Sequence, residues 1–253
     1  MDIRVKNLPV IAGKRQILEN ISLTFAHNRT TVIIGENGCG KSSLIKTVSG
    51  LLPVKKNTVF YGERALDAIT VKELAKNRAV LLQNPPLPRG MRVEQLLKLG
   101  RYAFDTPAKR DEKIIAAALE ETGCSGLEER LLETLSGGEL RKIYLALALV
   151  QEPEVLFLDE PDANTDAKFC AALPGLLQTL RQKRQLTAVM VTHNLDLALR
   201  CADEIIGIKE GKIQLSTAVE SENLTEKLSI FTDGNWEFIT DNSGRVRAVA
   251  GCR

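Results

Sequence analysis

The sequence predicts an α/β fold with a mostly parallel core sheet, because short buried strands alternate with helices along its 253 residues. Four apolar runs have the length of fully buried strands: 30–34, 79–82, 155–158 and 187–192. Three stretches between or after these runs have helical spacing of apolar residues: 42–49, 139–150 and 194–201. Buried strands alternating with helices are typical of a parallel sheet covered on both faces.

The other elements divide this single domain, 1–253, into parts. An antiparallel β part comes first, with candidate strands at 3–5, 17–18, 21–25 and 58–61 and a turn at 12–15. A short helix is predicted at 71–77, and the proline-rich stretch 84–90 then marks a boundary. Further helices are predicted at 93–102, 109–122, 125–132 and 166–183, the last with a kink or break at Pro174. We therefore expect a core (1–83 and 149–215), an inserted helical subdomain (84–148) and a C-terminal extension (216–253) with a weak helix and a hairpin near 241–244.

Composition excludes several classes of partner. Apolar residues make up 44% and charged residues 26% of the chain, and the net charge of +2 argues against nucleic acid or an acidic membrane surface as a direct partner. No apolar run reaches the length of a membrane span, and residues 1–10 have no signal-peptide core, so we expect a cytosolic protein. The five scattered cysteines predict reduced thiols, and two histidines are too few for a histidine-based metal cluster.

The stretch 35–43 has the pattern G-x-x-x-x-G-K-S of a phosphate-binding loop, between a predicted strand and a predicted helix. Its candidate nucleotide-binding residues are Gly35, Glu36, Asn37, Gly38, Cys39, Gly40, Lys41, Ser42 and Ser43. Glycines allow successive backbone N–H groups to turn inward toward an anion, and the helix N-terminus adds partial positive charge. Lys41 can reach the β- and γ-phosphates, and the Ser42 hydroxyl can ligate Mg²⁺.

Two strand ends carry further polar residues. Asp159 and Glu160 follow the buried run 155–158, and His193 follows the run 187–192. In open parallel sheets, ligands bind beyond the carboxyl ends of the strands, so Asp159 can hold Mg²⁺ and Glu160 can polarise an attacking water. Taken singly, a solvated turn or a structural histidine explains each of these residues, but together with the loop they predict nucleotide hydrolysis.

With these residues the chain resembles the ATP-binding cassette (ABC) ATPases over nearly its whole length. The stretch 135–139 reads L-S-G-G-E, which is similar to the signature motif of that family. The resemblance identifies Ser136, Gly137, Gly138 and Glu139 as ATP-binding residues, Asp159 and Glu160 as the Walker B end, and Asp166 as the D-loop aspartate. It implies that two copies pack head to tail, with ATP between the phosphate loop of one copy and the signature loop of the other.

The resemblance also implies catalytic roles. Glu160 is expected to be the general base, His193 the switch histidine that holds the γ-phosphate and water, and Gln83 the Q-loop ligand of Mg²⁺ and water. With Lys41 these are the expected catalytic residues, and Ser42, Gln83 and Asp159 are the expected metal ligands. Whether the dimer contains two identical copies is left open.

Four positions depart from the family pattern. Ala12 stands where an aromatic residue commonly stacks on adenine, Asp162 and Thr165 replace a threonine and a leucine near the D-loop, and Asn194 replaces an aspartate. The first departure leaves the means of holding adenine unexplained. The departures at Asp162 and Thr165 put the packing of the D-loop in question.

The stretch 93–102 resembles the corresponding part of ATPases that power importers of iron-siderophores, haem or cobalamin, although position 92 is Arg rather than Thr. The resemblance implies a metal-chelate importer subunit that contacts a transmembrane permease near 84–104 and is peripheral on the cytoplasmic face of the membrane. The alternatives are an exporter subunit, a soluble scaffold for iron–sulfur cluster assembly, and a nucleotide-gated binding module. Glu160 and His193 argue against the last, and fractionation with or without a membrane protein separates importer from scaffold.

Overall fold

The computed structural model describes residues 1–13, 15–163, 165–241 and 244–250. The strands within them are β1 Ile3–Ala12, β2 Arg15–Phe25, β3 Thr30–Gly35, β4 Val59–Tyr61, β5 Arg64–Ala65, β6 Arg78–Leu81, β7 Val155–Asp159, β8 Thr187–Val191, β9 Glu204–Lys209, β10 Lys212–Ala218, β11 Trp236–Thr240 and β12 Val246–Ala250. The α-helices are α1 Lys41–Val48, α2 Val71–Asn77, α3 Val93–Leu99, α4 Ala108–Glu121, α5 Gly137–Leu149, α6 Ala167–Arg184, α7 Leu195–Cys201 and α8 Leu224–Phe231. Short 3₁₀ helices cover Leu66–Ala68 and Leu132–Thr134.

The first of two compact units is formed by Met1–Ala68 and Thr187–Arg253. Its parallel strands are β8, β3 and β9, with β3 in the middle, and β10 adds antiparallel to β9. The β-branched run of β3 is fully buried, as expected for a strand with a neighbour on each side. A separate antiparallel sheet has the order β2-β1-β4-β5, and β11 and β12 form an antiparallel hairpin. The predicted strands of this unit are confirmed, except that 17–18 and 21–25 form one strand, β2, and not two. The two strands of the predicted C-terminal hairpin pair with each other. Residues 242–243 of its turn, and Lys14 of the turn predicted at 12–15, lie outside the described part of the chain.

Helix α1 packs into this unit through Leu44, Ile45 and Val48, which are at most 1% exposed. Burial of each such side chain contributes about 1.5–3 kcal/mol. The packing fixes the helix directly behind the stretch 35–40, so the N-terminus of α1 is held at the end of β3.

The second unit, Ile69–Leu186, contains the parallel pair β6 and β7 together with helices α2 to α6. All five residues of β7 are buried, and Phe157 is completely inaccessible to solvent. The register pairs Leu81 with Leu158, which brings the ends of the two strands to the same level. This unit therefore presents the residues that follow β6 and β7 at one edge.

One helix predicted for this unit is wrong. The helix predicted at 125–132 is absent, because Gly126 has φ +86° and the backbone pairs instead with 91–93, where the Val93 N–H donates to the Arg130 carbonyl at 3.0 Å. Where a kink or break is predicted at Pro174, α6 does not break but continues through the proline, and the kink stays a prediction. Buried Phe169, Leu173, Leu177 and Leu180 form one apolar stripe that holds this helix together across the lost hydrogen bond.

The predicted division into a core, a helical subdomain and a C-terminal extension stays a prediction. Among the residues that the structure describes, no helix combines the length and the hydrophobicity needed to cross a membrane.

Candidate functional site

The stretch between β3 and α1 forms a turn whose shape depends on glycine. Gly38 and Gly40 have φ of +77° and +104°, a region that favours glycine. A Cβ on Gly40 would also lie 2.7 Å from a methyl group of Ile17, which is too close. Because Gly40 is the N-cap of α1 and has no side chain, no side-chain oxygen caps this helix, and its N-terminus suits an anion.

Lys41 lies inside this turn. The residue is only 4% exposed, and its ammonium donates hydrogen bonds to the carbonyl oxygens of Gly35 at 2.9 Å and Glu36 at 2.7 Å. The two carbonyls stabilise a buried cation next to the helix N-terminus. Together, the cation and the helix dipole give this turn a positive field that suits phosphate.

His193 follows β8 in the same unit and is exposed. It borders a cavity of about 210 Å³ that is also lined by Gly35 and Glu36 and by the C-terminal residues Phe231 and Trp236. Asn194 accepts a hydrogen bond from the Leu197 N–H at 3.0 Å and so caps α7. The residue that departs from the family pattern at 194 therefore has a structural role, and the C-terminal lining of the cavity was not predicted from the sequence.

In the second unit, Asp159 ends β7 and Glu160 follows it. Asp159 is 1% exposed, whereas Glu160 is partly exposed and has the left-handed φ of +47°. Such a conformation costs a non-glycine residue about 1–3 kcal/mol and occurs often at functional sites. The side-chain amide of Gln83 donates a hydrogen bond to the Glu160 carboxylate. The structure thus brings together two of the predicted catalytic residues of this unit.

The signature stretch of the second unit forms the start of α5. Ser136 is the N-cap, its hydroxyl accepts from the Glu139 N–H at 3.3 Å, and the Glu139 carboxylate accepts from the Ser136 N–H at 2.8 Å. The backbone N–H and the hydroxyl of Ser136 both donate to the Glu139 carboxylate at 2.8 Å, and these two bonds lower the pKa of Glu139. The helix begins at Gly137, two residues before the predicted start at 139, because this reciprocal capping box forms. The first turn of α5 remains exposed at Gly137.

The D-loop residues also pack within the second unit. The Asp166 carboxylate accepts from the Phe169 N–H at 2.7 Å and caps α6. A Cβ on Gly138 would lie 3.1 Å from a carboxylate oxygen of Asp166, so the glycine allows a close approach between this loop and α5. The Thr165 hydroxyl, at a position that departs from the family pattern, donates to the Asp162 carbonyl at 2.8 Å. The departure at Thr165 therefore has a local structural role.

Arg141 is a site residue that the sequence reasoning missed. It is 5% exposed, and its guanidinium donates to five backbone carbonyls that follow β6 and β7. A helical arginine four residues beyond the start of a helix gives no sequence signal of such contacts. The side chain of Ala12, where adenine stacking is in question, lies outside the described part of the chain.

The donor chemistry of the predicted metal ligands suits a hard cation. Asp159 offers a buried carboxylate at a strand end, Ser42 a hydroxyl in the first turn of α1, and Gln83 an amide oxygen, all oxygen donors of the kind that Mg²⁺ prefers. Across the described ranges, no group of three or more His, Cys, Asp or Glu could hold a metal by itself.

The glycine turn, the buried lysine and the strand-end carboxylates define a nucleotide-binding protein of the P-loop class. Residues 18–163 match the family model described as ABC transporter. The chain is 35% identical over 215 residues to the probable siderophore transport system ATP-binding protein YusV of Bacillus subtilis, with 83% of this chain and 78% of that protein covered. It is 34% identical over 230 residues to the petrobactin import ATP-binding protein FpuD of Bacillus anthracis, with 89% and 84% covered. The chain belongs to the ABC transporter family and is one of its ATPases.

Solved structures give the same fold. The nucleotide-free ATP-binding cassette of an ABC transporter superposes with a TM-score of 0.80 at 24% identity and covers 90% of this chain and 96% of that one. The dimeric cassette MJ0796 has a TM-score of 0.78 at 22% identity, with 87% and 99% covered. The predicted ABC-type α/β fold is confirmed.

Proposed function

We propose that this chain is the ATP-hydrolysing subunit of an importer for iron–siderophore or a similar metal chelate. The observation that best supports ATP hydrolysis is the hydrogen bond from the Gln83 amide to the Glu160 carboxylate, just after β7. The proposed class of transported substrate rests on the names of the relatives, since the two described above are ATP-binding proteins of siderophore transport and of petrobactin import.

ATP is the proposed substrate, and the bond to its γ-phosphoryl group is the one broken. A Mg²⁺ ion, if held by Ser42, Asp159 and Gln83, would supply positive charge next to the phosphate oxygens. We assign the phosphate contacts to Lys41 and to the backbone N–H groups of 35–43, which the buried ammonium and the glycine geometry support. The Ser42 hydroxyl, the Asp159 carboxylate and the Gln83 amide oxygen are the proposed metal ligands. His193, exposed at the end of β8, is the proposed contact to the γ-phosphate and to water.

Glu160 is the proposed general base. Its carboxylate would take a proton from the attacking water, a role that a side chain at the end of a buried strand can perform without moving the backbone. The Gln83 amide orients this carboxylate through the hydrogen bond that it donates. The roles of Glu160 as base and of Gln83 as the residue that orients it follow from the family resemblance, and the hydrogen bond between the two side chains supports them.

A second ABC ATPase copy completes the proposed site from its signature stretch. The exposed start of α5, at Gly137, supports this, because a helix N-terminus at the surface is available to phosphate oxygens of another copy's nucleotide. Ser136, Gly138 and Glu139 shape that end through the capping box and the close packing at Asp166.

The proposed permease contact near 84–104 is supported by exposed apolar side chains. Tyr102 is 92% exposed, Leu99 57% and Leu87 43%. All three lie within one stretch of the sequence, and exposed apolar side chains that form one patch are typical of a protein interface. Through this contact the chain would be peripheral on the cytoplasmic face of the membrane.

The test is isolation of the chain from its own cells, followed by reconstitution with any polytopic membrane protein that co-purifies. We expect ATP-dependent uptake of a ferric siderophore into vesicles, and we expect L99S/Y102S to lose uptake while its basal ATPase rate is unchanged. The matched control is I230S, which removes a 71% exposed apolar side chain elsewhere and should keep both activities. Recovery of the chain only in soluble complexes would contradict the proposal and favour the iron–sulfur scaffold, and loss of basal ATPase in L99S/Y102S would contradict the permease contact.

A further inference from the structure

The guanidinium of Arg141 connects three segments of the second unit. Arg141 lies just beyond the first turn of α5, and only 5% of it is exposed. One terminal nitrogen donates to the carbonyls of Leu82 at 2.6 Å and Gln83 at 2.9 Å. These two residues directly follow β6, so the first set of contacts fixes the backbone that carries the Gln83 amide.

The second set of contacts reaches the end of β7. The other terminal nitrogen donates to the carbonyls of Asp159 at 3.0 Å and Glu160 at 2.7 Å, and Nε donates to Pro161 at 3.2 Å. Glu160 has the left-handed φ of +47°, so its carbonyl is turned away from the direction of a regular strand. By donating to this carbonyl, Arg141 stabilises the left-handed backbone conformation of Glu160.

Only arginine has donors suited to this arrangement. Its planar fork presents five N–H groups, whereas lysine has three on a single atom and glutamine has two. Burial lowers the pKa of the Arg141 guanidinium, and the nearby carboxylates of Asp159 and Asp162 act in the opposite direction. The contacts are charge-assisted hydrogen bonds in a buried site, where such bonds are strong.

We propose that Arg141 is a positioning residue for ATP hydrolysis, which sets the relative position of the Gln83 amide and the Glu160 carboxylate through their own backbones. This inference rests on the proposed function of the chain as an ATPase with Glu160 as base. Since Arg141 belongs to the helix that Ser136 caps, the same guanidinium links the signature end of α5 to the base. Any movement of α5 when another copy's nucleotide binds there would then be passed to Gln83 and Glu160.

The test is the ATPase kinetics of R141K beside R101K. Arg101 is a matched control, because it is 4% exposed in the same unit and donates to the Val150 carbonyl at 2.6 Å and to Asp111 at 2.8 Å, away from Gln83 and Glu160. We expect R141K to lower kcat about tenfold or more while KM for ATP changes less than about threefold, since positioning a base affects the transition state and not the binding of ATP. R101K should keep kcat within about twofold of wild type.

A double-mutant cycle with Q83A separates positioning from a loss of general stability. If Arg141 acts through Gln83, R141K should lower kcat much less in the Q83A background than in wild type, with a coupling of about fivefold or more. Equal kcat values for R141K and R101K, or effects of R141K and Q83A that multiply independently, would overturn the proposal about Arg141 alone. Absence of ATP hydrolysis in the wild type would overturn the proposed function and this inference together.

A measurement on the wild-type chain decides the question even if R141K does not fold. Hydrogen–deuterium exchange with a non-hydrolysable ATP analogue and Mg²⁺ should change the protection of 82–84, 137–141 and 160–163 together. A change at 82–84 and 160–163 without a change at 137–141 would contradict the link through Arg141.

Discussion

The side-chain amide of Gln83 donates a hydrogen bond to the carboxylate of Glu160, although 77 positions separate the two residues. The register of β6 and β7 explains this contact. Leu81 pairs with Leu158, so the residues two positions further along each strand lie side by side at the same edge. Because parallel strands end at one edge of a sheet, an amide after one strand and a carboxylate after its neighbour meet there.

The first prediction concerns the proposed base. E160Q should bind ATP about as tightly as wild type, but its kcat should fall about a hundredfold or more, because a general base contributes about 10²–10⁴ to the rate. With hydrolysis blocked, ATP and Mg²⁺ should trap a dimer. The measurements are phosphate release and the molar mass by light scattering with and without nucleotide.

The matched control for this variant is E154Q, which changes an exposed glutamate at the other end of the same strand segment. It should hydrolyse ATP at the wild-type rate. An E160Q protein that keeps its turnover, or that stays monomeric with ATP and Mg²⁺, would count against the role of Glu160 or against the dimer, respectively.

Lys41 gives the second prediction. In K41A the ammonium that now bonds to the Gly35 and Glu36 carbonyls is lost, and with it the cation next to the helix N-terminus. A hydrogen bond to a charged group contributes about 1.5–3 kcal/mol, so we expect ATP affinity to fall about tenfold to a hundredfold. Titration with a fluorescent ATP analogue measures this. K46A, in the last turn of the same helix, should bind normally, and retained binding in K41A would remove Lys41 from the phosphate contacts.

The third prediction concerns pH and the C-terminal hairpin. Arg247 in β12 donates two hydrogen bonds to the Asp196 carboxylate in α7, at 2.6 and 2.9 Å, and these bonds hold the pKa of Asp196 below its usual range. An unfolded Asp titrates near about 3.9, so the lowered folded pKa stabilises the protein above that pH and the stabilisation disappears as pH falls through the folded pKa. Because both partners are partly exposed, we expect D196N to lower the free energy of unfolding at pH 7 by about 0.5–1 kcal/mol.

Urea unfolding at pH 7, 5 and 3.5 checks this prediction, since the difference between wild type and D196N should be nearly the same at pH 7 and 5 and should shrink at pH 3.5, below the unfolded pKa of about 3.9. E63Q is the comparison, because it breaks the Arg4–Glu63 ion pair, whose Glu63 side chain is 92% exposed. It should have almost no effect at any of these pH values. A stability difference for D196N that stays constant from pH 7 to pH 3.5 would show that the ion pair is not its cause.

Much of the fold was predictable because local pattern and tertiary structure agree. The buried runs that became β3, β7 and β8 were read correctly, and α2 was predicted at its observed bounds, Val71–Asn77. Its start carries a complete capping box, in which Thr70 and Glu73 satisfy each other's backbone N–H groups, so the sequence alone defines the helix end.

The failures lie where tertiary contacts decide the local structure. Nothing in the sequence of 125–132 indicates that its backbone pairs with 91–93. The sequence also left open whether Pro174 kinks or breaks α6, because the apolar stripe that keeps the helix continuous depends on the neighbours that bury it. The contacts of Arg141 depend on the same kind of long-range information, since they join residues up to 59 positions apart. Sequence patterns identified the candidate side chains of the site, but not the residue that holds the backbones of Gln83 and Glu160.

The central claim is that each ATP site is made by two copies, and a mixing experiment tests it most directly. K41A disables the phosphate loop, and G137D places a negative charge at the exposed start of α5, so each protein alone should be inactive. In a head-to-tail dimer of one K41A and one G137D copy, both defects fall in one site and the other site is intact. We therefore predict that the mixture recovers ATPase activity well above the sum of the two separate proteins. A mixture in which mixed dimers form but show no more activity than the separate variants would contradict the composite site.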